Sequence, residues 1–315
     1  MPAASFVAAL VVALVTLLTV GAGDAQSLYK YRDENGVWTY TDRRPDDGEA
    51  FETLPLEQHG EPAAVRLYQR ALEDGTVVLV AQNDFYGPVQ IAFELTATDN
   101  LAPDVPTRGN RILDPRSETE LLALPRANPA AAMRLEYRMQ YIPGKPGAPH
   151  APDQPYRLPY ALASGYRVSQ AYPDQVTHAD SGSRYAVDFV MPIGTGVYAA
   201  REGTVIEVAS DYFESGLDPQ TDGPRANIVR ILHDDGTMAL YAHLNWNSIR
   251  VEPGQHVARG EYLADSGNTG FTTGPHLHFV VQRNAGGEIV SVPVEFAGPG
   301  ASAVTLVTGD LATAY

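Results

Sequence analysis

Residues 267–279, Gly-Asn-Thr-Gly-Phe-Thr-Thr-Gly-Pro-His-Leu-His-Phe, decide both the expected fold and the expected site. The end of this stretch alternates imidazole and apolar side chains, and residues i and i+2 of a β-strand face the same side. His276 and His278 are therefore predicted to point into one site, with Leu277 and Phe279 packed behind them. The glycines and threonines that come first predict a turn-rich approach that places the strand at a surface cleft. Two histidines at this spacing are a weak signal by themselves, so the interpretation depends on the rest of the chain.

Two other apolar stretches with strand character each carry one polar residue. In Tyr-Ala-Val-Asp-Phe, residues 185–189, the carboxylate of Asp188 stands among apolar neighbours. A carboxylate in such a strand is either paired or bound to a metal, because burying it alone costs several kcal/mol. In Leu-Tyr-Ala-His-Leu, residues 240–244, His243 is flanked in the same way. A core histidine with satisfied hydrogen bonds explains His243 equally well at this point.

The composition limits what kind of site these residues can form. The 315 residues include no cysteine, which excludes disulfides, cysteine-ligated zinc, iron–sulfur clusters and thiol nucleophiles. The eight histidines are then the remaining soft metal ligands. Lysine and arginine number 22 against 38 aspartates and glutamates, a formal charge of -16, which argues against nucleic acid as the main partner.

The motif belongs to a predicted β domain at residues 156–297. Its apolar runs are short, separated by Gly, Asp or Pro turns and almost without helical periodicity, which predicts an antiparallel sheet. Within it, the long polar loop at 211–225 is predicted to edge the substrate cleft, with a tolerated surface insertion as the alternative. Residues 143–155, rich in Pro and Gly, predict a linker in which His150 is solvated and not a ligand. The tail at 298–315 is weakly apolar and predicts no role.

Further upstream, the sequence predicts a small β-sandwich domain at residues 64–142. Runs of β-prone residues at 76–81, 89–95 and 133–141 are interpreted as strands. The last run alternates apolar and polar side chains, which is the period of a strand buried on one face. The whole region carries no clustered side chains of a catalytic type.

The N-terminal end is interpreted as an export signal followed by a short hairpin. Residues 8–20 form an uncharged apolar run of 13 residues, shorter than the roughly 20 of a bilayer span and typical of a signal-peptide core. We therefore interpret 1–25 as a signal peptide and expect an exported protein with no membrane span after cleavage; an uncleaved anchor is the alternative. An Asn-Gly pair between β-prone runs predicts a hairpin domain at 26–50, and the acidic, Gly- and Pro-rich residues 46–62 predict a linker.

Three segments, taken in order, resemble the lysostaphin/LytM-type zinc metallopeptidases. Residues 194–205 resemble the family pattern GTxVxAxxxGxV, residues 241–244 its YxHL and residues 267–279 its GNTGxSTGPHLHF, and the resemblance extends over about 157–290. A second resemblance lies near the N-terminus. Residues 28–45 are similar to a short domain of unknown function that is common in envelope proteins of Gram-negative bacteria, with the pattern YKYxDxxGxxxYxDxxP.

The first resemblance implies an antiparallel β-sheet core with a groove over a zinc ion (Zn2+), and it implies the ligands. Asp188 and His278 would be two of them. The third ligand in the best-known members is a histidine four residues before the aspartate, but this sequence has Arg184 there. A subset of the family carries its histidine further upstream, ahead of an inserted turn, and this implies His178 as the third ligand.

The other two motif histidines, His243 and His276, would act on the substrate. Three protein ligands leave zinc with an open position for water, and the family implies one histidine as base and the other as hydrogen-bond donor to the oxyanion. The sequence leaves this assignment open, with a preference for His276 as the base. His233 is interpreted as a structural residue at a hairpin turn, and His256 and His59 as exposed.

The resemblance implies an exported zinc metalloendopeptidase that hydrolyses the peptide cross-links of peptidoglycan. If the N-terminal resemblance holds, the protein would be periplasmic and would act on D-alanyl–diaminopimelate links in the peptide stems rather than on glycine bridges. The alternative is a catalytically inactive regulator that binds and activates other cell-wall hydrolases, as relatives without the full ligand set do. A wall-binding scaffold is a third interpretation, but it leaves the histidines unexplained. The oligomeric state is not predicted.

Overall fold

A computed structural model gives the fold of most of the chain. The chain divides into one compact unit that ends at Gln58 and a second from His59 to Tyr315. The described residues form strands, turns and two short 3-10 turns, so the predicted mainly β class is confirmed. No helix among them has the length and apolar character needed to cross a membrane. The predicted signal segment, the Asn-Gly turn and His59 lie outside the described residues, which are 27–32, 38–41, 50–55 and 64–315.

The first unit contains three strands, β1 (Ser27–Arg32), β2 (Trp38–Thr41) and β3 (Phe51–Pro55). Strand β1 lies between the other two and pairs with both in antiparallel fashion, which confirms the two predicted hairpin strands. The linker predicted for 46–62 is wrong at β3. Its Phe-Glu-Thr-Leu alternation is that of a strand, but the acidic and glycine-rich residues before it hid the pattern.

The second unit begins with two three-stranded antiparallel sheets around one apolar core. The alternation predicted for 133–141 is confirmed up to Met139, since its apolar side chains pack against the core while those between them are exposed. Three of the six strands were not predicted, because charged side chains fill their exposed faces. The sheets have the orders β4-β5-β8 and β7-β6-β9, with β4 at Val65–Ala71, β5 at Val77–Asn83, β6 at Val89–Asp99, β7 at Arg108–Leu113, β8 at Ser117–Ala123 and β9 at Arg134–Pro143.

The remaining strands build the large sheet that carries the site and three small two-stranded sheets beside it. The 3-10 turns lie at Gly223–Arg225 and Pro299–Ala301. The strands are β10 (Gly165–Gln170), β11 (Val187–Phe189), β12 (Gly196–Tyr198), β13 (Gly203–Ala209), β14 (Ser215–Gly216), β15 (Ile228–Leu232), β16 (Met238–Ala242), β17 (His256–Val257), β18 (Tyr262–Asp265), β19 (Gly270–Phe271), β20 (Leu277–Asn284), β21 (Ile289–Ser291), β22 (Phe296–Ala297), β23 (Ala303–Val304) and β24 (Leu311–Thr313).

The large sheet runs in the order β17-β13-β15-β16-β20-β11-β10-β24, and β21 pairs with β20. All of its ladders are antiparallel, as the sequence predicts. Leu277 and Phe279 are fully buried, and the Phe279 ring contacts Tyr241 with ring centroids 5.2 Å apart. The predicted packing of Leu277 and Phe279 behind the two histidines is therefore confirmed.

The segment predicted as a linker, 143–155, is packed onto this sheet. The Gly147 backbone N–H donates to the Asn284 carbonyl at 3.0 Å. His150 is half-buried, with its ring stacked on Tyr156 at 5.9 Å. The expectation of a solvated His150 is therefore wrong, because the hydrogen bonds of the segment hold it against the domain.

The C-terminal tail, for which the sequence predicts no role, closes one edge of the large sheet. Its strand β24 pairs with β10. The Tyr160 hydroxyl donates to the carbonyl of Ala312 at 2.6 Å, and Ala312 and Ala314 are buried. The tail therefore supports the strand that ends at Gln170, beside the site.

Candidate metal centre

Neighbouring strands of the large sheet bring the site residues together. Asp188 on β11 lies directly opposite His278 on β20 and, on its other side, opposite Gln170 on β10. Strand β16 pairs its last residue, Ala242, with His278, so His243 follows where that strand ends. Residues directly opposite in an antiparallel pair have Cβ atoms roughly 5 Å apart on one face. The register therefore places Asp188 and His278 on one face. Gln170 joins them through a bulge in the β10–β11 ladder, and His243 follows the end of β16, where its backbone is left-handed.

The three residues assigned as ligands lie together. The Asp188 carboxylate has one oxygen, Oδ1, 2.9 Å from Nδ1 of His278. Its other oxygen, Oδ2, is 3.2 Å from Nε2 of His178. One ligand atom from each of the three residues lies within 4.8 Å of the other two. His178 reaches this cluster from the loop between β10 and β11 and is itself buried.

The charge of Asp188 is stabilised by its neighbours. Burial raises the pKa of the carboxyl, but hydrogen bonds and charge interactions with His178 and His278 outweigh burial and hold the pKa well below its usual range. The side chain is 2% exposed. The cluster therefore presents a buried carboxylate whose neighbours are imidazoles.

The donor set and its spacing fit a zinc ion. Zinc ligands lie about 2.0–2.2 Å from the metal for histidine nitrogen and carboxylate oxygen, and the edge of such a tetrahedron is about 3.3 Å. The two distances of Asp188 to His278 and His178, 2.9 and 3.2 Å, are close to that edge. Two nitrogens and one oxygen are also a set that this cysteine-free chain can supply.

His243 stands at the edge of the cluster in an unusual backbone conformation. Its φ angle is +62°, in the left-handed region, which costs a residue other than glycine roughly 1–2 kcal/mol. Its Nδ1 lies 2.7 Å from the carbonyl of Thr269. A carbonyl only accepts, so the ring proton is on Nδ1, and Nε2 is left as a proton acceptor.

His276 is oriented in the same way. Its Nδ1 lies 2.8 Å from the carbonyl of Gly274, which places the ring proton on Nδ1. Its Nε2 lies 3.7 Å from Oδ2 of Asp188. The rings of His243 and His276 are 4.6 Å apart between centroids. Two imidazoles therefore flank the three residues that could hold a metal.

The environment keeps His243 neutral. Burial is the main cause, and the nearby His276 and His278 add to it; together they lower the pKa of His243 to about 3. In the tautomer set by Thr269, a neutral His243 has no proton on Nε2 to give to an oxyanion. The expected division between His276 as base and His243 as oxyanion donor stays a prediction.

A cleft of about 640 Å³ opens over these residues. All five predicted site residues line it, and Tyr212, Gly223 and Pro224 of the long loop form part of its wall. The loop is held by a short parallel pairing of β14 with β19, and by a 2.9 Å hydrogen bond from the Gly270 N–H to the Glu214 carbonyl. The prediction that 211–225 edges the cleft is confirmed.

The structure also adds a residue that the sequence did not indicate. Gln170 lines the cleft and donates from Nε2 to Oδ2 of Asp188 at 2.8 Å. Nothing marks it in the sequence, because a single glutamine at the end of an alternating strand matches none of the quoted motifs. His233 is buried in the turn predicted for it, with Nδ1 2.7 Å from the Glu202 carbonyl, and His256 is exposed as expected.

Comparisons with known proteins identify two family domains in this sequence. The profile of peptidase family M23 matches residues 182–290, and the profile of a domain of unknown function, DUF4124, matches residues 14–65. The chain therefore contains a peptidase M23 domain and an N-terminal DUF4124 domain. The M23 match includes Asp188 and the three motif histidines, but it begins after His178, whose assignment depends on the geometry.

Several curated proteins are similar to the matched region. Peptidoglycan DD-endopeptidase ShyA of Vibrio cholerae is 34% identical over 123 residues, 38% of this chain and 26% of that protein. Lysostaphin of Staphylococcus simulans is 31% identical over 117 residues, 37% of this chain and 21% of that protein. A solved structure of the lysostaphin catalytic domain is 31% identical, covers 40% of this chain and 81% of that chain, and has a TM-score of 0.27. The chain thus spans about a quarter of the length of these curated relatives.

Proposed function

We propose that this protein is an exported zinc metalloendopeptidase that hydrolyses peptide cross-links of peptidoglycan. The observation that carries the proposal is the convergence of His178, Asp188 and His278 at the floor of a cleft, with two further imidazole acceptors beside them. The M23 match supports a peptidase. The names of two relatives, peptidoglycan DD-endopeptidases ShyA and ShyB, support peptidoglycan as the substrate class.

In this proposal His178, Asp188 and His278 hold the metal through Nε2, a carboxylate oxygen and Nδ1. When bound, zinc polarises the carbonyl of the scissile bond and makes water more acidic. The buried carboxylate fixes one negative charge in the site, and its hydrogen bonds keep it ionised without the metal. The protein thus offers a preformed anionic ligand.

His243 and His276 are proposed to transfer the proton from the attacking water to the leaving amine. In its neutral form each offers Nε2 as the proton acceptor, because each Nδ1 donates to a backbone carbonyl. One of them accepts the proton that the attacking water loses as its oxygen bonds to the carbonyl carbon. The resulting imidazolium then gives that proton to the leaving amine as the C–N bond breaks. The second histidine can hydrogen-bond to the oxyanion only after it has itself been protonated.

The location follows from the substrate. An enzyme that cleaves wall peptides acts outside the cytoplasm, in agreement with the signal segment interpreted from the sequence. The DUF4124 match is the reason to favour the periplasm and D-alanyl–diaminopimelate links over glycine bridges. The inactive-regulator alternative is disfavoured, because relatives of that kind lack ligands whereas three donors converge here.

Zinc content and digestion of purified peptidoglycan test this function. Wild type, His178→Ala and His278→Ala are compared, with the exposed His256→Ala as the matched control. We expect one zinc per chain and released muropeptides for wild type and His256→Ala, and loss of both for the other variants. A wild type that binds no stoichiometric zinc and releases no muropeptides would favour the regulator. Loss in His278→Ala alone would remove His178 from the ligand set.

A further inference from the structure

One side-chain amide connects two of the three proposed ligands. Gln170 is the last residue of β10, and its Nε2 donates to Oδ2 of Asp188 at 2.8 Å. Its Oε1 accepts the backbone N–H groups of Val176 and Thr177 at 2.8 and 2.9 Å. These residues immediately precede His178. The same amide therefore contacts the ligand on β11 and the loop that carries the ligand at His178.

The orientation of this amide is fixed by its partners. A backbone N–H can only donate, so the atom facing Val176 and Thr177 is the oxygen. The NH2 group must then face Asp188, whose ionised carboxylate only accepts. The Thr177 hydroxyl also contacts the amide, at 2.9 Å from Nε2. A flipped amide would place oxygen against carboxylate and NH2 against two N–H groups, so the observed arrangement has no equivalent alternative.

A β-bulge puts Gln170 in this position. Along the β10–β11 ladder, Val168 pairs with Phe189 and Gln170 with Asp188, so two steps on β10 correspond to one on β11. In a regular ladder Gln170 would lie opposite Val187 instead. A bulge re-aims a side chain in this way and is frequent beside active sites. The irregularity therefore brings the amide to the same face as the carboxylate.

We propose that Gln170 is a positioning residue for the metal centre, which aligns Asp188 and places His178 by holding the loop before it. The proposal rests on the proposed function, since it assumes that these residues bind zinc. Outer partners that orient metal ligands typically change metal affinity by about 10- to 100-fold when they are replaced. Gln170 differs from such partners in acting on two ligands at once.

Gln170→Glu and Gln170→Met separate the two contacts. Glu keeps oxygen acceptors for the loop N–H groups but removes the donor to Asp188. Met has a similar length and removes both contacts. Gln255→Glu is the matched control, because the Gln255 amide also joins a backbone N–H, that of Glu252, to a carboxylate, that of Glu261, away from the cleft.

Zinc affinity is measured on the metal-depleted mature protein by competition with a chromophoric chelator. We expect both Gln170 variants to bind zinc about 10- to 100-fold more weakly than wild type, and Gln255→Glu to match wild type. The visible absorption of the cobalt-substituted protein should change in both variants at saturation. Amide exchange at Val176 and Thr177 should become faster in Gln170→Met, because their acceptor is lost.

The possible outcomes distinguish failure of this proposal from failure of the proposed function on which it rests. If wild type binds zinc and Gln170→Glu and Gln170→Met bind it equally well with the wild-type cobalt spectrum, Gln170 is not a positioning residue. If one variant fails to fold, the same comparison is made with the other. A wild type without zinc affinity would overturn the proposed function and this inference with it.

Discussion

Two carboxylates of the same domain, Asp188 and Asp235, have buried side chains but ion-pair partners of different kinds. Their side chains are 2% and 7% exposed. Asp235 accepts a 2.6 Å hydrogen bond from the guanidinium of Arg201, a group that stays positive throughout the accessible pH range. The ion-pair partners of Asp188 in the described part of the chain are histidines, which are charged only when protonated. Asp235 therefore has a permanent positive counter-charge within the protein, whereas Asp188 is surrounded by imidazoles.

The counter-charge, more than burial, distinguishes Asp235 from the proposed metal ligand Asp188. Asp235 also accepts from the N–H and hydroxyl of Thr237 and from the Ala151 N–H. Burial opposes its ionisation, but the hydrogen bonds from Arg201, Thr237 and Ala151 together outweigh burial and lower the pKa of Asp235 to about 2. That cluster is complete without an added ion. Asp188 is ionised as well, yet a divalent cation between its neighbours would add the charge that they lack.

Replacing Asp188 by Asn should have the largest effect. The amide keeps the size of the side chain but removes the negative charge and a strong ligand. Zinc at a thousand times its dissociation constant stabilises a protein by about 4 kcal/mol, and we expect Asp188→Asn to lose this zinc-dependent increase together with peptidoglycan hydrolysis. Urea unfolding in the presence of zinc and in the presence of a chelator measures the zinc-dependent increase in the free energy of unfolding. An undiminished zinc effect in the variant would contradict the assignment of Asp188.

Replacing Asp235 by Asn should produce the opposite pattern. Arg201 is 6% exposed at its side chain and, among the described residues, would keep only the exposed Asp234 as an ionic partner. Removing one member of a buried pair costs about 3–5 kcal/mol, and the residual pair with Asp234 places the expectation near the lower end. The loss should appear in urea unfolding of the chelated protein, with the zinc-dependent increase unchanged. A reduced zinc increase would show that the two clusters are not independent.

The Asp235 cluster should also make the free energy of unfolding depend on pH. Burial is the main cause that lowers the pKa of His233, in the Asp235 cluster, to about 4. The unfolded chain therefore binds this proton first as the pH falls, and stability decreases between about pH 6.5 and 4 by up to about 3 kcal/mol. His233→Asn keeps a donor for the Glu202 carbonyl but does not titrate. We expect the difference in unfolding free energy between this variant and chelated wild type to vary over that range. A constant difference would remove His233 as the cause.

The sequence predicts the side chains of the site better than the loops and strand pairings that hold them in place. The alternation in 276–279 is enough to place His276 and His278 on one face with an apolar layer behind, because strand geometry has a period of two. Asp188 is also visible as a charge in an apolar strand. His178 could be assigned only through the family resemblance, since it lies ten residues before Asp188 in an irregular loop, and no local pattern gives the path of such a loop.

Other features depend on long-range contacts that local patterns do not contain. The sequence does not indicate that β24 pairs with β10, because a three-residue strand in a weakly apolar tail has no distinct period. The contact of Gln170 with Asp188 depends on a bulge in another ladder. His150 is half-buried because Asn284 and Asp235 bind backbone groups of its segment, although its composition is typical of a solvated linker.

A third carboxylate provides the smallest expected effect. Glu207 lines the cleft and forms a 2.7 Å ion pair with Arg230, like the pair of Asp235 in chemistry, but its side chain is 32% exposed. Water screens such a pair, so Glu207→Gln should lower the free energy of unfolding by less than about 1 kcal/mol, against about 3 kcal/mol for Asp235→Asn. Urea unfolding of the two chelated variants side by side tests this order. An equal loss would mean that solvent exposure does not determine how much these ion pairs contribute to the free energy of unfolding. The contrast between Asp188 and Asp235 would then need another cause. The expected order instead leaves Asp188 as the acid whose replacement is felt mainly when zinc is present.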